Sequence, residues 1–68
     1  MMIGQDSKGR LLEISGYGKS MYGGWYANYR VINSNEISGI GAKTLKEICS
    51  ELHVSRTALT RDVVRYDN

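Results

Sequence analysis

Few residues in this chain combine type and spacing in a way that could do chemistry. Cys49 and His53 lie four apart, on one face if the segment is helical. Two ligands fall short of the four that a structural zinc site takes, and a Cys/His nucleophile needs an exposed thiol of lowered pKa. Cys49 instead keeps the apolar spacing of Leu45, Ile48 and Leu52, where a small buried residue is expected. Residues 16–20, GYGKS, have the composition of a phosphate-loop fragment but neither its glycine-to-lysine spacing nor its following helix. No paired-carboxylate site or serine nucleophile setting is visible, so the expectation is a non-enzyme with no cofactor and no metal. What remains is a basic series, Lys43, Lys46, Arg56, Arg61 and Arg65, set against Glu47, Glu51 and Asp62. Isolated charges of this kind usually mark a solvated helix face. Here they coincide with an ordered apolar pattern, which favours a polyanionic partner, as the weakly basic net charge of +2 permits.

The elements that must position these charges lie in residues 45–63, LKEICSELHVSRTALTRDV. Leu45, Ile48, Cys49 and Leu52 mark one helical face, Val54 a corner, and Leu59 and Val63 the face of a second helix. Ser55 is a good N-cap for that second helix. The first helix is expected to start near Lys43 or Thr44.

In these residues the chain resembles the helix-turn-helix DNA-binding motif of bacterial and phage repressors. Cys49, Leu52, Val54, Leu59 and Val63 match its small and apolar positions. His53 stands where glycine is usual, at a position that often needs positive φ, a region histidine visits more readily than most side chains. The resemblance implies a sequence-specific, repressor-like transcriptional regulator that binds double-stranded DNA. It places the second helix in the major groove, with Ser55, Arg56, Thr57, Thr60 and Arg61 reaching bases. Arginine suits guanine, whose two acceptors match its planar fork. Lys43, Thr44, Lys46 and Arg65 would meet phosphates.

The whole chain, 68 residues, allows a single domain. So short a chain buries roughly 60% of its unfolded surface, which favours a homodimer or a very well packed core. One cysteine cannot form an internal disulfide, so a reducing cytoplasm is the expected location. The opening MMIGQDSKGR has no long apolar run, and neither a secretory signal nor a membrane span is expected.

Residues 1–9 read as a flexible start. In residues 10–17, Leu12 and Ile14 alternate with Glu13 and Ser15 as in a half-buried strand. Residues 25–33, WYANYRVIN, are its expected mate, with Trp25, Ala27, Tyr29 and Val31 on one side. A glycine-rich loop joins the two into a hairpin spanning 10–33. An isolated hairpin is unstable in water, so it must pack on the helices or on another copy, its edges being the expected dimer contact. The expected fold is therefore α+β: an N-terminal β-hairpin followed by a two-helix helix-turn-helix unit over 43–66.

Two other readings compete. Trp25, Tyr29 and Val31 are expected in the core, but tyrosine and tryptophan also favour wet interfaces. Tyr22, Trp25 and Tyr26 could therefore form a protein-binding surface. Phage and mobile elements encode many short inhibitors of other proteins, anti-CRISPR proteins among them. Residues 37–48, ISGIGAKTLKEI, also resemble the glycine hairpin of helix-hairpin-helix domains, which implies nonspecific contact with the DNA backbone.

Overall fold

The computed structural model describes residues 2–67. Its elements are strands β1 (Met2–Gln5), β2 (Leu11–Lys19), β3 (Trp25–Val31) and β4 (Ile37–Ala42), followed by helices α1 (Leu45–Leu52) and α2 (Arg56–Asp62). The strands form an antiparallel meander in the order β1-β2-β3-β4, and the helices pack on one of its faces. None of the described helices is long and apolar enough to cross a membrane.

The expected fold is corrected here: the sheet has four strands, not two. β1 occupies part of the start expected to be flexible, and β4 occupies the segment that resembles a glycine hairpin. Neither carries a strand's signature alone. β1 is only four residues long. β4, ISGIGA, holds two glycines and one β-branched residue type, and its side chains are mostly exposed. Both strands exist because the central hairpin offers pairing edges, with Met2 opposite Ile14 on one side and Trp25 opposite Ala42 on the other. With Ile37–Ala42 extended, there is no room for the first helix of a helix-hairpin-helix. Because β2 and β3 are both interior strands, the hairpin edges are also already taken and cannot join two copies.

The register of β2 against β3 slips between Ile14 and Gly16, leaving Ser15 as an extra residue. This bulge reverses the alternation, so Leu12 and Ile14 before it and Tyr17 after it all face the helices. They form the core with Ala27, Val31, Leu45, Ile48, Cys49, Leu52, Leu59 and Val63. Leu12, Ile48, Leu52 and Leu59 are the largest fully enclosed side chains, each contributing roughly 1.5–3 kcal/mol by burial. Of the aromatic hairpin, Tyr17 is deeply buried, while Trp25 and Tyr29 lie half-buried at the core's margin.

After α2 the chain turns extended at Val63 (φ −112°, ψ 137°) and returns along β2. β1 pairs only as far as Ile14, and the returning tail takes over the edge beyond it. The Tyr17 N–H donates to the Val64 carbonyl (3.1 Å), and the Tyr66 N–H donates to the Tyr17 carbonyl (2.9 Å). The Tyr66 ring lies on Gly16, where an added Cβ would stand 2.0 Å from it, and its hydroxyl donates to the Ser15 carbonyl. The last residues of the expected 43–66 helical unit are thus part of the sheet's edge.

Candidate nucleic-acid interface

The two helices and their turn are built from local signals. Thr44 caps α1: its hydroxyl oxygen accepts from the Glu47 N–H (3.2 Å) and its hydroxyl donates to the Glu47 carboxylate (3.3 Å). α1 ends at His53, which adopts the left-handed conformation (φ 57°, ψ 45°) that glycine usually supplies. The His53 N–H donates to the Ser50 carbonyl and the Val54 N–H to the Cys49 carbonyl. The ring holds the turn from outside, with Nδ1 2.8 Å from the Gln5 carbonyl of β1. Since a carbonyl only accepts, Nδ1 carries the proton. Ser55 then caps α2 by accepting from the Ala58 N–H (3.1 Å).

This arrangement sorts the expected base-contacting residues. Ser55, Arg56, Thr57, Thr60 and Arg61 are all exposed, while Leu59 between them is fully buried. Their polar groups differ in freedom. The Ser55 oxygen is occupied by its cap, and the Thr60 hydroxyl turns back to the carbonyls of Arg56 (3.0 Å) and Thr57 (3.1 Å). Arg61 is forked onto Asp62 (2.9 and 3.0 Å). That pairing raises the Arg61 pKa and lowers the Asp62 pKa, chiefly through the shared hydrogen bonds. Arg56 has no carboxylate partner, and Thr57 no side-chain hydrogen bond, among the described residues. The most available groups therefore sit on the first turn of α2.

Among the expected phosphate contacts, Lys43 and Lys46 are exposed, whereas the Thr44 hydroxyl is engaged in its cap. Arg65 is corrected. It lies in the returning tail as a bridge partner of Tyr17, 5.0 Å above the Trp25 ring, and is forked onto Asp67 (2.6 and 3.1 Å). The Arg65 guanidinium pulls the Asp67 carboxyl down to about 2. Asp67, two residues beyond Arg65, was the signal in the chain for this pairing.

No family model, curated protein or solved structure matches the chain.

The alternative surface is brought together only in part. Tyr22 is 92% exposed at the hairpin tip beside Met21 at 87%, an exposed apolar side chain that pattern reading missed. Trp25 lies under Arg65, and Tyr26 is half-buried, with its hydroxyl held close over Gly18. With Ala42 and Lys43 these aromatic residues line an open depression between the hairpin tip and the start of α1. Cys49 is buried, and that burial pushes its thiol pKa up, with Arg56 acting weakly in the other direction.

Proposed function

We propose that the chain binds double-stranded DNA as a small repressor-like regulator, with α2 entering the major groove. The observation that carries this reading is the first turn of α2. The tight turn at His53 and the Ser55 cap leave Arg56 and Thr57 exposed and free of side-chain partners among the described residues. In helix-turn-helix proteins this is the part of the recognition helix that meets base edges. Lys43 and Lys46, exposed on and just before α1, are suited to flanking phosphates. The sheet supplies the supporting layer that a third helix gives elsewhere. Arg61 joins the interface by exchanging Asp62 for an acceptor on DNA. Two copies together would read half-sites about 34–36 Å apart, and a single copy, with a longest extent of 31 Å, suits one half-site.

The test is a fluorescence-anisotropy titration of mixed-sequence duplex, at low and near-physiological salt, with wild type and an Arg56→Ala/Arg61→Ala variant. Binding should weaken steeply with salt. On a selected site, loss of each bidentate contact should cost about tenfold in affinity. Absence of binding at low salt would count against the proposal. The second reading, capture of another protein by the hairpin tip, draws on the exposure of Met21 and Tyr22. It predicts function that survives loss of Arg56 and Arg61 but not Tyr22→Ala.

A further inference from the structure

The two outer strands differ in what covers them. Beside β1, α1 and the His53 ring close in. β4 hydrogen-bonds to β3 on one side, and on the other its N–H and C=O groups bond to nothing among the described residues. It also lacks the usual protection of an edge strand: it carries no charge, no proline and no bulge.

A groove runs beside this open edge, lined by Ile40, Gly41 and Ala42 of β4 and by Glu47, Ser50 and Glu51 of α1. Its floor is apolar, since Ile40 and Ala42 pack against the core. Its wall is acidic, and Lys43 and Lys46 are outside the lining. Glu47 and Glu51 stand one helical turn apart, a rise of about 6 Å. Alternate residues of an extended strand repeat every ~6.6–6.8 Å, a spacing close to that of the two carboxylates.

We propose that the open edge of β4 takes an extended peptide segment of a partner protein, adding it as a fifth strand with basic side chains at alternate positions facing Glu47 and Glu51. Backbone pairing supplies the attraction and the alternate basic side chains the selectivity, as in other strand-addition complexes. A second copy of this chain is disfavoured as occupant. Pairing β4 with its own copy would bring Glu47 and Glu51 of both molecules to one seam, where like charges repel. The inference stands whether or not α2 binds DNA.

The experiment uses the full chain, isotopically labelled, titrated with a short capped peptide of alternating valine and lysine and followed by amide chemical shifts. Shifts are expected in Ile37–Ala42 and at Ser50 and Glu51. N-methylation of the peptide along its bonding edge should abolish them, and replacing its lysines with glutamates should do the same. Glu51→Gln, an exposed substitution that leaves the core intact, should weaken binding about twofold to fivefold. The proposal is overturned by unmoved β4 amides at millimolar peptide, by equal binding of the glutamate peptide, or by peptide-free self-association through β4.

Discussion

Gly4 of β1 and Gly41 of β4 lie at opposite margins of the same sheet, and an added side chain would meet different surroundings at each. In β1, Gly4 admits the helical layer: an added Cβ would stand 2.6 Å from the Leu52 carbonyl oxygen of α1. In β4, Gly41 has room for a side chain, the nearest atom to an added Cβ being the Trp25 carbonyl oxygen at 3.6 Å, while Gly39 lies close against Asn28 Oδ1 at 2.9 Å. The contrast belongs to Gly4 and Gly41: a close approach of the helical layer at one and an ordinary contact at the other. The first edge holds the turn of the candidate interface in place. The second is unpaired among the described residues.

The sharpest way to break this contrast is Gly4→Ala. The methyl group must displace backbone, so unfolding in urea should show a loss of about 1–3 kcal/mol, with α1 pushed outward. His53→Ala tests the same edge more gently. It removes the bond to Gln5, worth about 0.5–1.5 kcal/mol, and keeps a side chain in the left-handed region. His53→Gly loses the same bond but enters that region freely. The glycine variant should therefore be the more stable of the two, and the reverse order would show that the turn does not need its left-handed residue.

Smaller still is the effect of the tail that completes the β1 edge. Because Arg65 depresses Asp67 from the ordinary 3.8 to about 2, the pair's contribution is fully present above pH 3.8. It is lost as pH falls through about 2. A carboxyl titration followed by NMR should give the low midpoint, returning toward 3.8 in Arg65→Gln. An Asp67 that titrates normally in wild type would mean that the tail is not held by this pair. The least effect belongs to Gly41→Ala, which should change stability by no more than about 0.5 kcal/mol.

The same contrast explains what could be read from the chain. The helices, the Ser55 cap and the β2–β3 pairing announce themselves through local spacing, because the residues that decide them are neighbours in sequence. β1 and β4 are decided by distant partners, Ile14 and Leu12 for one and Tyr29 and Ala27 for the other, and their own residues are too few or too small to show it. The extra Ser15 that turns Tyr17 inward depends on a register no single strand reveals. In the candidate interface, Arg56 and Thr57 are exposed as helical spacing requires. Arg65 was misplaced because apolar spacing carries on to Val63 while the chain leaves the helix at Asp62.

On the proposed reading, DNA lies against the first turn of α2. The most direct measurement is a map of backbone amide shifts as the labelled protein is titrated with duplex DNA at low salt. The largest changes should fall on Ser55, Arg56 and Thr57, with a second group at Lys43, Thr44 and Lys46 and little at the hairpin tip. Changes confined to Tyr22, Trp25 and Tyr26, or no changes at all, would contradict it.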